Sequence, residues 1–279
     1  MTIVCPKCQT ENPSDSKFCK ECGKPLVIDV VQTKTFDTPT EGSLSDSTFA
    51  GRYEIIRKLG EGGMGTVFRV NDPLNPERSV ALKSIRRHRI QTELIGRFKA
   101  EFRVLTSLQH PNVATAYDFE SLPGSEDYFF TMEYVEGHDI FYATEGKSWQ
   151  QIISLLIQVC RALSYVHSRK LIHYDIKPGN VLVDEKGIVK VLDFGLTAVK
   201  SIGPGEWKGG TPAYMAPEQT DAEALVDHRS DLYSLGIMAY QLINRQLPFH
   251  SSSLSDVFRM HRFQELEFKE SEWKEIPSW

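Results

Sequence analysis

The chain has no apolar run near the ~20 residues needed to cross a bilayer. Its longest candidate, Ile152 to Cys160, is interrupted by Ser154 and Gln158. The N-terminus, MTIVCPKC, lacks the apolar core of a signal peptide. A reducing cytoplasmic compartment is therefore expected, whatever anchor a longer parent carries. Positive charge is also short: 32 Lys and Arg stand against 37 Asp and Glu, a net charge of -5. That disfavours a dedicated nucleic-acid binder, whose affinity comes from neutralising phosphates. Hydrophobic residues are 41% and charged residues 25%, which excludes disordered and collagen-like classes. A length of 279 residues suggests about two domains.

Cysteine is scarce but concentrated. Four of the five cysteines are Cys5, Cys8, Cys19 and Cys22, two C-x2-C pairs. Each pair converges two thiolates, and two pairs complete a tetrahedral zinc site. Gly23 suits the turn after the second pair, and Pro6 stiffens the first. With Phe18 as its sole aromatic, the segment has too little apolar surface to fold unaided. Bound metal supplies roughly 10–16 kcal/mol in small zinc peptides. Two disulfides or redox-active thiols are the competing readings. The segment resembles the short zinc ribbons that open many bacterial proteins. Four lysines against three acids leave residues 1–26 at +1, which favours a protein-contact or regulatory module over a nucleic-acid reader. Cys160, inside a helical apolar pattern, reads as a buried small hydrophobe.

Residues 27–50 change texture. Eight of these 24 residues are Ser or Thr, and the segment carries -3. It reads as a flexible linker. Thr33, Thr35, Thr38 and Thr40 are either phosphorylation sites or plain polar residues of a solvated tether.

A strand pattern over Arg52–Leu59 runs into Gly60-Glu61-Gly62-Gly63-Met64-Gly65-Thr66-Val67. Glycines let backbone amides approach phosphate oxygens without a Cβ in the way. By itself G-x-G-x-x-G also fits a dinucleotide-binding turn, which requires a helix straight afterwards. Here β-prone residues Thr66–Val70 follow, so the loop reads as a hairpin tip over a nucleotide. In Val80-Ala81-Leu82-Lys83 a lysine sits among apolar strand residues, where its ammonium needs partners. Phosphates and a carboxylate supply them. The carboxylate candidate is Glu101, on a helix expected over Leu94–Leu108 with Phe98, Phe102, Leu105 and Leu108 facing a core. An exposed helix glutamate is the alternative for Glu101. The stripe Ile152, Ile153, Leu156, Val159, Leu163 and Val166 predicts another helix.

After that stripe come His173-Tyr174-Asp175-Ile-Lys177-Pro-Gly-Asn180, then Asp193-Phe194-Gly195, then Gly210-Thr211-Pro and Ala216-Pro217-Glu218. In this order and spacing, the chain from about Tyr53 resembles the eukaryotic-type (Hanks) Ser/Thr protein kinases, with a Gly-rich loop worded like the bacterial branch. The resemblance implies an α+β fold: a bilobal kinase with an antiparallel small lobe (about 51–135) and a helical large lobe (about 136–279), behind the ribbon and linker. It also implies an ATP- and Mg²⁺- or Mn²⁺-dependent transfer to protein Ser/Thr hydroxyls. Asp175 would orient the acceptor hydroxyl, Lys177 would neutralise the γ-phosphoryl group, and Thr211 would bridge the two. Asn180 and Asp193 would hold magnesium. Lys83 would grip the phosphates beside Glu101. Leu59 and the loop from Gly60 to Val67 would cover the nucleotide, and Val67, Ala81 and Leu182 would sandwich the purine. Met132 would be the gatekeeper, and Glu133 and Val135 would meet adenine through their backbones. Asp139 reads as a ribose contact or a surface aspartate.

Two departures stand out. The family's His-Arg-Asp is His173-Tyr174-Asp175, which removes a phosphate-binding Arg; Lys190 is the nearest substitute. The chain also ends at Trp279, within the region where the family's late helices begin, so Glu218 is expected buried without their Arg. A nucleotide-binding pseudokinase or scaffold is the alternative function. A third reading makes the ribbon the functional part, binding protein or nucleic acid.

Overall fold

The structure is a computed structural model. It describes residues 2–4, 10–13, 48–62, 65–85, 102, 106–121, 128–192, 211–221, 224–251 and 253–266. The chain divides into two compact units, Met1–Ser47 and Thr48–Trp279.

In the first unit, β1 (Thr2–Val4) pairs antiparallel with β2 (Glu11–Pro13). The four ribbon cysteines themselves lie outside the described residues.

The second unit opens on a six-stranded antiparallel sheet. Its strands are β3 (Thr48–Phe49), β4 (Tyr53–Gly62), β5 (Gly65–Asn71), β6 (Val80–Ile85), β7 (Ala116–Ser121) and β8 (Tyr128–Glu133), in the order β3-β4-β5-β6-β8-β7. β3 shortens the expected linker: Thr48 and Phe49 pair with β4, and the Phe49 ring meets Phe129 edge-on at 5.3 Å. The hairpin reading of the Gly-rich stretch holds, since Gly62 pairs with Gly65 across its tip.

Alternation along the strands separates two cores. Tyr53, Val70, Val80, Leu82 and Phe129 fill one face of the sheet. Ala81, Phe130 and Met132 turn to the other, which is continuous with the core of the helical region. Arg52 tethers the start of β4 through a two-pronged bond to Asp72, at 2.9 and 2.7 Å. This pairing holds the Asp72 carboxyl down at about 2. Of the helix expected over 94–108, Phe102 and the last residues are described. The Phe102 ring lies 5.3 Å from Phe119 and 6.2 Å from Phe130, and Leu108 is buried.

Past the sheet, β9 (Gly137–Asp139) pairs with β10 (Val181–Asp184), which pairs with β11 (Val189–Val191). Gly137 is required there, because a Cβ would lie 2.1 Å from the Val183 carbonyl oxygen. The short α1 (Ile140–Ala143) leads to α2 (Trp149–Ser168), started by a Ser148–Gln151 capping box. The buried stripe of α2 includes Leu155 and excludes Ile153, which is 39% exposed. Cys160 is likewise exposed, correcting its expected burial; it falls just outside the edge of the buried stripe, beside Leu156. Then follow α3 (Arg229–Asn244) and α4 (Leu254–Phe263). No described helix is long and apolar enough to cross a membrane.

Candidate active site

The sheet side of the candidate site is made by strand register. Val67 stands opposite Lys83, and Ala81 opposite Met132. Lys83 is buried, with its ammonium 5.7 Å from the centre of the Phe130 ring. The Glu133 amide donates to the Thr115 carbonyl at 2.8 Å, and the Tyr134 amide to that of Ser79 at 2.9 Å. These bonds fix the strand end that leads to the buried Val135. Leu182 lies opposite Asp139 from below. Asp139 itself caps α1, its Oδ1 accepting from the amides of Phe141 and Tyr142. Leu59, Gly60 and Glu61 form an exposed rim, with Glu61 paired to Lys58 at 2.5 Å. Gly63 and Met64 lie outside the described residues.

Lys190 does not stand in for the missing Arg. Its ammonium is 2.8 Å from the Glu133 carboxylate, whose other oxygen also accepts it at 2.9 Å. β11 runs beside the strand end that carries Glu133, so this half-buried carboxylate takes the lysine.

The second part of the site is a compact polar cluster. The Thr211 hydroxyl donates to Asp175 Oδ1 at 2.9 Å and accepts from Lys177 Nζ at 2.7 Å. Lys177 also pairs with Asp175 Oδ2 at 2.7 Å. Asn180 Nδ2 donates to the Asp175 carbonyl (2.8 Å) and to its Oδ2 (3.0 Å). Asn180 thus commits its amide nitrogen to Asp175, and its amide oxygen is the atom with the hard-ligand chemistry a magnesium ion takes. Nearby, burial pushes the Tyr214 phenol up to about 12, with Asp139 and Asp175 adding to the shift.

What aims this cluster is Asp231, near the start of α3 and 1% exposed. Its Oδ1 accepts from the Tyr174 amide at 2.9 Å, and its Oδ2 from the His173 amide at 2.8 Å. The same Oδ2 is 2.7 Å from His167 Nε2, which must carry the proton because a carboxylate only accepts. The His173 ring takes the Asp175 amide on Nδ1 at 3.3 Å, so its Nε2 is the donor to the Leu192 carbonyl at 2.9 Å. That carbonyl precedes Asp193. Sequence reading missed Asp231 and His167; the available signal was an aspartate inside the run Ser230-Asp231-Leu-Tyr-Ser-Leu. Tyr174 is buried, and that burial raises its phenol pKa, with Asp231 and Asp227 contributing. Its φ of 67° is left-handed, uncommon for a bulky residue.

Glu218 departs from its expected burial. It is half-buried, and the Ser230 hydroxyl donates to it, so its carboxylate has a partner on α3. Glu101 and Asp193 lie outside the described residues.

A family model described as the protein kinase domain matches residues 53–279, and one described as a zinc-ribbon domain matches residues 4–26. The chain is 36% identical over 246 residues to Serine/threonine-protein kinase pkn3 of Myxococcus xanthus, covering 82% of this chain and 44% of that protein. It is 34% identical over 221 residues to Serine/threonine-protein kinase PrkC of Bacillus subtilis, covering 76% and 33%. It is 36% identical over 223 residues to the DNA damage-responsive serine/threonine-protein kinase RqkA of Deinococcus radiodurans, covering 77% and 33%. The chain therefore spans less than half the length of these curated relatives.

Proposed function

Since the chain belongs to the protein kinase domain family, we propose that it transfers the γ-phosphoryl group of ATP to Ser and Thr hydroxyls of protein substrates, in bacterial signalling. The observation that carries this reading is the Asp175–Lys177–Thr211–Asn180 cluster, held within 2.7–3.0 Å. A nucleotide-binding scaffold needs no such constellation.

The acceptor hydroxyl lies against Asp175, which orients it and takes its proton as the new oxygen–phosphorus bond forms and the bond to the ADP oxygen breaks. Lys177 neutralises charge on the group in flight. Thr211 keeps the carboxylate and the ammonium in fixed relation, so little reorganisation is needed at the moment of transfer. Asn180 and Asp193 are the residues to hold magnesium, which when bound neutralises phosphate charge. Lys83, with Glu101 as its candidate partner, grips the phosphates. Val67, Ala81 and Leu182 enclose the purine, Met132 guards its inner edge, and the backbones of Glu133 and Val135 meet its rim. Asp139, one oxygen already used in its cap, faces the ribose.

At the N-terminus, Cys5, Cys8, Cys19 and Cys22 are the donors for one structural zinc, a thiolate set that suits that ion. Such thiolates persist in a reducing compartment, which supports a cytoplasmic location. A protein partner is the proposed ligand of the ribbon. The transfer reading is tested with radiolabelled ATP and a generic protein acceptor, followed by phosphosite mapping. Phosphoserine or phosphothreonine is expected; a wild-type chain that binds ATP and transfers nothing overturns it. Elemental analysis tests the ribbon, with one zinc per chain expected and four metal-free thiols overturning it.

A further inference from the structure

Gln219 sits on the single turn Pro217–Thr220 and is 8% exposed. Both ends of its amide are used. Oε1 accepts from the Ala216 amide at 2.9 Å, and Nε2 donates to the Tyr174 carbonyl at 3.2 Å. Tyr174 immediately precedes Asp175, and Asp231 holds its amide. The two backbone hydrogen-bonding groups of this left-handed residue are thus gripped, by a carboxylate on α3 and by the Gln219 amide. The carbonyl that Gln219 grips belongs to the peptide unit whose nitrogen is that of Asp175. The turn, in turn, ends the segment that begins at Thr211.

From this arrangement we infer that Gln219 is a positioning residue for phosphoryl transfer, a neutral clasp that fixes the Thr211–Thr220 segment to the loop carrying Asp175. It works at the far end of that segment from the Thr211–Asp175 bond. The inference rests on the kinase reading of Asp175. A glutamine suits the task because one side chain supplies both a donor and an acceptor. Leucine supplies neither, and an ionised glutamate supplies acceptors only.

That chemistry gives a test that a merely space-filling residue fails. Gln219→Leu lowers kcat for a peptide substrate about tenfold or more, because misplacing a catalytic carboxylate is costly, while KM for ATP changes little. Gln219→Glu is similarly slow at about pH 8. It recovers toward wild type near pH 6, because burial raises a carboxyl pKa and the protonated form donates to Tyr174 again. The charged groups on the elements packed against the turn are His173, Asp175 and Lys177 on the catalytic loop, Arg229 and Asp231 on α3, Asp256, Arg259, His261 and Arg262 on α4, and Glu218 on the turn. Wild-type and Gln219→Leu profiles, run in parallel, subtract their titrations. Hydrogen exchange at the Ala216 amide supplies a readout independent of activity: faster in Gln219→Leu, unchanged in Gln219→Glu, which keeps the acceptor. A Gln219→Leu enzyme that turns over like wild type, or a flat ratio of Gln219→Glu to wild type across pH, overturns the inference. Should the wild-type chain transfer no phosphate, the kinase reading fails instead. The clasp then stands or falls on the Ala216 exchange alone.

Discussion

Along β6 and β8 the sheet side of the candidate site is held by a regular ladder with apolar faces on both sides, as Ala81, Met132 and Phe130 pack into the main core. The loop at His173–Asn180 has no ladder on its leading half. Its shape comes from buried polar groups: Asp231 on two amides, His173 on Leu192, Asn180 on Asp175. Burial of apolar area degrades gradually, because each methylene removed costs about 0.8 kcal/mol. A buried donor that loses its acceptor forfeits its desolvation cost at once. The two sides should therefore respond differently to substitution: graded and nucleotide-specific on one side, abrupt and shared between turnover and stability on the other.

The strongest test of that contrast is Asp175→Asn. Removing the proposed proton acceptor should cut kcat by about 10²–10⁴-fold. Nucleotide affinity, measured by calorimetry, should stay near wild type, because the strand side proposed to bind it is untouched. A substantial loss of ATP binding would join the two sides into one unit. Next comes Asp231→Ala, which strands the amides of His173 and Tyr174 and the ring of His167. At about 1–3 kcal/mol per orphaned donor, the melting midpoint should fall by roughly 5–15 °C. Turnover should fall with it. A mutant melting like wild type would show that water replaces the carboxylate.

On the apolar side, Leu182→Ala should raise the dissociation constant for ATP only roughly three- to tenfold, from a partial loss of buried area. Its turnover at saturating ATP should be nearly unchanged. A large drop in kcat would break the contrast. The smallest expected effect is in pH. Burial holds the imidazoles of His110 and His261 below their ordinary value of about 6.5. The unfolded chain then binds these protons more readily than the folded one. Stability is full above that ordinary value and is lost as pH falls below it. Thermal scans between about pH 7.5 and 5.5 should show the midpoint falling, and His261→Gln should reduce the fall. The outer core of Tyr53, Val70, Val80, Leu82 and Phe129 contains no histidine and should contribute nothing.

The same contrast explains what could be read in advance. The small-lobe strands and the hairpin tip follow from local alternation and from β-prone residues after the glycines, so their sequence carries them. Asp175, Lys177, Asn180 and Thr211 were legible as motif spacing, and the cluster they form is close to what that spacing implies. Asp231 left only the weak signal of its run and Gln219 left none, because each acts on a backbone group far away in the chain, and an amide looks alike at every position. Lys190 and Glu218 were misjudged for a related reason. Their partners, Glu133 and Ser230, are set by which elements pack together, and neither pairing has a sequence period. The phase errors on α2, where Ile153 and Cys160 turn outward and Leu155 inward, show how weakly one apolar stripe fixes its own edges.

Tyr174 also bears on how the protein is made. Its left-handed backbone is costly for a bulky residue and is upheld by a carboxylate 57 residues further along the chain. A ribosome adding roughly 5–20 residues per second leaves the catalytic loop waiting about 3–11 s for that carboxylate. During this interval the motif exists as sequence but has not been given its working shape. The His173–Asn180 loop of a newborn chain is thereby kept from its native shape until α3 has emerged and docked. Chains arrested before Arg229 should accordingly show a protease-sensitive His173–Asn180 loop that becomes resistant once α3 is released.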